Sequence, residues 1–321
     1  LEQVNFDRTM SDREKIEFFR KFVPQHRTIS DQPRNDCPFE PKIEPVAFNK
    51  LIANLFISYK TGPSGGCTGF FVNPRVIATA SHCVKRFSRD APYQFASSVY
   101  VSAGYYVGAN GVPQDFGGES AYKMLANPKF EESNPGSISA RETAEDYAFI
   151  ILKTANLYNG LGVKEVHKFV QPDFRITSTP PLGGGDPVVI SEGKNYELIG
   201  YPDVDGQAST LDTVRRTGDS KIIGSLEGKI FSSGFRAYFG NSGGPVRESS
   251  NGNQVAGIAS AGLCGLRSVA PHQGLLNAYA TAEKISSCLL TAQNACLLKC
   301  CDGIVSPTSD VKNCKNSCII E

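Results

Sequence analysis

The chain has 321 residues, long enough for two domains, and its 40% apolar content provides for packed cores and excludes a disordered polymer. A net charge of +1 gives no basis for nucleic acid or an anionic membrane surface as main partner. No apolar run approaches the roughly 18 residues of a bilayer span, so no membrane-spanning segment is expected.

Residues 1–45 read as an N-terminal extension. Ser11-Asp12-Arg13-Glu14 has the capping-box spacing, Ile16, Phe19 and Val23 recur at helical intervals, and Pro24 stops the pattern. That short helix either docks on a neighbouring domain or serves as a pro-segment or lid. The residues after it are rich in Pro and polar side chains and carry Cys37. From Leu51 the pattern changes to short β-prone runs broken by Gly, Pro, Asn and Ser: "NLFISYK", "TGFFV", "RVIATA", "SVYVSAG" and "DYAFIILK". A Pro- and Gly-rich stretch follows near 172–186. Its Gly183–Gly185 run is a flexible loop, because no phosphate-loop Lys-Ser/Thr follows it. Strand-like runs then resume as "PVVI", "YELIGYP", "KIIGSL", "KIFSS", "PVRES" and "QVAGIAS". Many short strands with frequent turns predict an all-β protein of barrels or sandwiches.

A helical pattern returns near 280–301, and the last 34 residues hold six of the ten cysteines. Cys296 with Cys300, and Cys314 with Cys318, each share a helix face. Two helices stapled 296 to 318 and 300 to 314 fit this spacing. A zinc knot is the alternative, although the segment has no histidine. So many cysteines point to an oxidising compartment, hence a secreted, extracellular protein with disulfides. No apolar leader follows Leu1, so the sequence reads either as a mature form or as a chain begun artificially after its leader. The expected organisation is 1–45 extension, 46–160 first β unit, 161–285 second β unit and 286–321 Cys-rich helical tail.

Three stretches carry chemistry. "ATASHCV" holds His82, "EDYAFIIL" holds Asp146 and "GNSGGPV" holds Ser242. Each opens or follows a strand-like run, where rigid scaffold can fix a side chain. A serine hydroxyl is a weak nucleophile at neutral pH. It needs an imidazole to take its proton, and the imidazole needs a carboxylate to set its tautomer. The glycines let the N–H groups of Gly240 and Ser242 converge on one point, as an oxyanion hole requires. Taken singly, each piece reads as a turn serine, a polar histidine or a capping aspartate. His26, His167 and His272 read as structural or solvated. No His/Asp/Glu cluster has metal-ligand spacing, and no metal or other cofactor is expected.

These motifs resemble those of trypsin- and chymotrypsin-like serine proteases. The family's "TAAHC" stands as Thr79-Ala80-Ser81-His82-Cys83, its "DIAL" as Asp146-Tyr147-Ala148-Phe149 and its "GDSGGP" as "GNSGGP". The likeness covers about 50–285 and keeps the order His, Asp, Ser. It implies two six-stranded antiparallel β-barrels with the active site between them, a catalytic set of His82, Asp146 and Ser242, and a protein or peptide substrate. It also implies a Cys67–Cys83 disulfide, and a substrate-pairing strand in which Ser260, Ala261 and Gly262 match "SWG". The expected activity is a secreted serine endopeptidase, with a catalytically silent binding protein on the same scaffold as the alternative.

The family's aspartate before the nucleophile is Asn241 here, which cannot form the ion pair with a new amino terminus that switches on zymogens. Asn241 and "IGYP" are similar to the glutamyl-endopeptidase and bacterial branch. Tyr238 replaces a family cysteine, so Cys264 pairs elsewhere or stays free. Ungapped counting places Arg236 at the floor of the primary pocket, where it would attract an acidic side chain; in the alternative it points to solvent. Ala259 stands where glutamyl endopeptidases keep a histidine, and Asn277 falls near the pocket's far wall.

Overall fold

The computed structural model describes residues 43–45, 50–60, 64–86, 94–103, 106–107, 113–114, 117–131, 138, 140–172, 175–176, 189–190, 194–202, 215–220, 222–226, 229–236, 239–250, 252–261 and 264–291. The expected helix after Ser11, Cys37 and the cysteine-rich residues 292–321 lie outside them. The first half holds β1 (Ile43–Pro45), β2 (Ile52–Tyr59), β3 (Gly65–Asn73), β4 (Val76–Thr79), β5 (Lys85–Arg86), β6 (Gln94–Ala103), β7 (Tyr106–Val107), β8 (Pro113–Gln114), β9 (Gly118–Ala126) and β10 (Ala148–Leu152). The second half holds β11 (Lys168–Phe169), β12 (Arg175–Ile176), β13 (Val189–Ile190), β14 (Tyr196–Gly200), β15 (Arg215–Ser220), β16 (Ile222–Leu226), β17 (Ile230–Arg236), β18 (Pro245–Glu248), β19 (Gln254–Ala261) and β20 (Cys264–Val269). Helices α1 (Ser81–Val84), α2 (Ala140–Thr143), α3 (Asn156–Gly160) and α4 (Gln273–Thr291) interrupt or follow them.

Strands β2, β3, β4, β10, β9 and β6 pair in that order. β6 pairs back to β2, Ala53 opposite Ala103 and Phe56 opposite Tyr100, so six antiparallel strands close into a barrel. The second sheet runs β1-β15-β14-β18-β19-β20-β17-β16, antiparallel along this path, with β11 lying parallel to β19. The fold is thus mostly β, one closed barrel and a second antiparallel sheet, in agreement with the architecture expected from the sequence.

Strand β10 shows why the barrel forms where it does. All five of its residues, Ala-Phe-Ile-Ile-Leu, are buried. Such a run needs cover on both faces. The barrel interior supplies one, and α4 packs against β10 and β4 from outside. Phe149 meets Tyr279 of α4 at 5.8 Å between ring centres. Each large side chain buried this way contributes about 1.5–3 kcal/mol. The helix begins at Gln273 rather than near 280. Its buried residues Leu275, Ala282, Ile285 and Leu289 recur every three to seven positions, one face of a helix. Polar ties complete the dock: the Tyr279 hydroxyl lies 2.9 Å from the Val72 carbonyl, and Arg75 Nη1 donates to the Ser286 carbonyl at 3.1 Å. Cys288 on the same helix is buried and disulfide-bonded.

Between barrel and second sheet sits His167, fully buried. Its ring lies edge-on to Phe70, and its Nδ1–H donates to the Phe71 carbonyl at 3.3 Å. Burial, with Arg247 adding to it and the Phe71 bond opposing, pushes its pKa from 6.5 down to about 3. Below pH 6.5 the unfolded chain accepts a proton here that the native chain refuses until about pH 3. Stability is therefore full above that window and lost as pH falls through it, by at most ~1.4 kcal/mol per pH unit. His167→Gln should flatten the acid-side fall of the urea midpoint between pH 6.5 and 3; an unaltered slope would contradict the assignment.

Candidate active site

The chain turns out of β4 into the single turn α1, which carries His82. Its neighbour Ser81 is buried, and its hydroxyl donates to the Tyr147 carbonyl at 2.8 Å and accepts the Asn127 N–H at 3.0 Å. The residue before His82 is thereby clamped to the residue after Asp146. On the other side, α2 ends in a turn whose Thr143 carbonyl accepts the Asp146 N–H at 3.1 Å.

The two elements meet in one group. The His82 backbone N–H donates to Asp146 Oδ1 at 2.9 Å, and its ring Nδ1 lies 2.7 Å from Oδ2. The Asp146 carboxylate is fully buried, whereas the imidazole keeps 20% of its surface. A buried carboxylate is an acceptor only, so the geometry assigns the ring proton to Nδ1 and the basic lone pair to Nε2. A third donor comes from the second sheet: the Ser260 hydroxyl on β19 reaches Oδ2 at 2.5 Å. Charge-assisted bonds from three donors replace the hydration that burial removes.

Ser242 lies on the loop between β17 and β18, and this loop is pressed onto the histidine turn. The Ser242 carbonyl accepts the Thr68 N–H at 2.9 Å and touches Cys83 Sγ at 3.8 Å. That sulfur carries no proton, because Cys67 and Cys83 form a disulfide with an S–S distance of 2.05 Å. Gly243 has φ +80°, a region that disfavours any Cβ. A Cβ there would collide with Thr79 Oγ1 and the Thr68 carbonyl and lie 2.9 Å from Ala80 N. Gly240 is buried with φ +87°. Among the described residues, neither the Gly240 nor the Ser242 amide donates to an acceptor in the protein. Two unspent N–H groups beside a hydroxyl are the components an oxyanion site requires.

Cys67, His82 and Cys83 place ligand-type atoms within 4.8 Å of one another. They do not fit a metal, since both sulfurs are spent in the disulfide and His82 Nδ1 faces Asp146.

The Trypsin family's sequence model matches residues 49–272. The chain belongs to the trypsin family. Solved structures of similar fold include a Glu endopeptidase in complex with MPD, at 18% identity and TM-score 0.54, covering 76% of this chain and 97% of that one. The thermostable serine protease AL20 from an extremophilic microorganism has 19% identity and TM-score 0.52, over 72% and 96% of the two chains. The protease Anisep from Arthrobacter nicotinovorans has 18% identity and TM-score 0.51, over 75% and 99%. No curated protein matches the sequence.

Within this trypsin-family chain the structure brings together His82, Asp146 and Ser260, and sets the Ser242 loop against the disulfide beside His82. Ala261 follows Ser260 at the end of β19, opposite Arg267. Arg236 ends β17 with its backbone opposite Cys264, its side chain lying outside the described residues along with Gly262 and Tyr238. Asn277 is exposed on α4, where its Oδ1 accepts Gln273 Nε2 at 2.7 Å. His272 is structural: its Nε2 lies 2.9 Å from the Ala144 carbonyl. Sequence reasoning placed Ser260 in the strand but missed its bond to Asp146, and it gave Thr68 no role. Gly243→Ala should lower stability by roughly 2 kcal/mol or more through left-handed strain and the Thr79 collision, read as a shift in denaturant midpoint.

Proposed function

We propose that the chain is a secreted serine endopeptidase. Ser242 Oγ attacks the carbonyl carbon of a peptide bond as His82 Nε2 takes its proton, and the π electrons move onto the carbonyl oxygen. The Gly240 and Ser242 amides receive that oxyanion, each worth about 3–4 kcal/mol by the behaviour of other such donors. Collapse of the tetrahedral intermediate expels the amine, which leaves with the proton from His82. Water then attacks the acyl-enzyme, again through His82, and frees the acid and Ser242. Asp146 holds the imidazole in the Nδ1–H tautomer throughout. No metal or other cofactor enters these steps.

The observation that carries this reading is the double hold of a fully buried Asp146 on His82, in a family where that pairing serves catalysis. Ser260, Ala261 and Gly262 would pair with the peptide, and Arg236 would meet an acidic side chain before the scissile bond. The Cys67–Cys83 disulfide supports an oxidising, extracellular location.

A fluorophosphonate probe tests the reading. The folded chain should label at Ser242, and Ser242→Ala should abolish the label. A folded chain that takes no label would point to the silent binding protein instead. Asp146→Asn should reduce kcat by about 10³- to 10⁴-fold, as expected when the wrong imidazole tautomer is held; near-normal turnover would remove Asp146 from the mechanism.

A further inference from the structure

Thr68 follows Cys67 on β3 and is fully buried. Its hydroxyl donates to the Gly240 carbonyl at 2.6 Å and accepts the Tyr201 N–H at 3.0 Å. Its N–H donates to the Ser242 carbonyl at 2.9 Å. Its own carbonyl accepts the Thr79 hydroxyl at 2.8 Å, on the strand that leads to His82. One residue of the first barrel therefore ties the nucleophile loop at two points and the end of β14 at a third.

The two loop points matter because of where they fall. The Gly240 and Ser242 carbonyls flank Asn241, so they bracket the peptide that carries the Ser242 N–H. Gly240 has φ +87°, and without a Cβ its ψ has little steric restraint. Something outside the residue must set the plane of its carbonyl relative to its own N–H. Asn241 does not do so through its side chain, which is buried with neither Nδ2 nor Oδ1 hydrogen-bonded among the described residues. The Thr68 hydroxyl does, and it is itself oriented by Tyr201. Gly200 leaves room for it: a Cβ there would sit 2.7 Å from Thr68 Oγ1.

We propose that Thr68 is a positioning residue for the oxyanion-binding amides, its hydroxyl fixing the Gly240 carbonyl and hence the aim of the Gly240 and Ser242 N–H groups. The inference rests on the peptidase reading above and names how this chain holds that site. Threonine and serine can each supply one donated and one accepted bond here; valine has the shape of threonine and supplies neither.

The test compares wild type, T68V and T68S. Hydrolysis of p-nitrophenyl acetate gives kcat and KM, with kcat expressed per active site titrated by the acyl burst. Fluorophosphonate labelling rates and melting temperatures are measured alongside. T68V should lose about 10- to 100-fold in kcat per titrated site, as misaimed donors do, with KM changed by less than about threefold. T68S should return to within about threefold of wild type. A merely structural role would lower the melting temperature or the titrated fraction and leave turnover per site intact. Wild-type kcat per site in T68V, or a T68S as slow as T68V, would overturn the proposal. If T68V does not fold, T68A carries the same expectation. A wild-type chain that never labels would sink the peptidase reading and this inference together; labelled wild type with an unimpaired T68V sinks this inference alone.

Discussion

The site is organised around one carboxyl group that water does not reach. Burying Asp146 costs several kcal/mol unless donors stand in for its hydration. Two donors come from His82 and the third from Ser260. The first residue belongs to the closed barrel and the second to a strand of the other sheet. The same bonds that satisfy the acid therefore also join the halves. Any slip between them would strand a polar group in the interior, so the alignment of the imidazole and the seating of the two sheets are one constraint.

Packing of the Ser242 loop follows the same logic. Positive φ at Gly240 and Gly243 folds the segment tightly enough to lie on β3 and the histidine turn. The disulfide between Cys67 and Cys83 fixes the surface it lies on. Asn241 is the exception in this otherwise well-satisfied region, a buried amide with both polar atoms unpaired among the described residues. The anchoring bonds have moved to its flanks, where backbone carbonyls meet Thr68.

Much of this was legible in the sequence, and the part that was not has a common cause. Strands such as β2, β3, β10 and β19 are legible because each holds a short apolar, β-prone run: Leu55-Phe56-Ile57, Phe70-Phe71-Val72, Phe149-Ile150-Ile151, and Val255 with Ile258. β9, "GESAYKMLA", does not read as a strand because its half-buried residues include Ala, Lys, Met and Leu, which lean helical. β15, "RRTGDS", carries no apolar residue, and its backbone pairing with β1 and β14 places it. The start of α4 is hidden in the sequence because Gly274 and Asn277 resemble a turn, whereas Leu275 docking on the barrel core outweighs them. His82, Asp146 and Ser242 stood out through local motifs. Ser260's bond to Asp146 spans 114 positions and Thr68's bond to Gly240 spans 172, and no local pattern encodes such pairings.

The chain's route has a further meaning. β1 precedes the first barrel yet pairs with β15 of the second sheet, and α4 follows the second sheet yet covers the first barrel. Each half is thus completed by the far end of the other, like two hands clasped at crossed wrists. A nick in the connecting stretch would leave both pieces holding one another. Made alone, the first half would lack the helix that covers β10, and the second would lack the strand that pairs with β15.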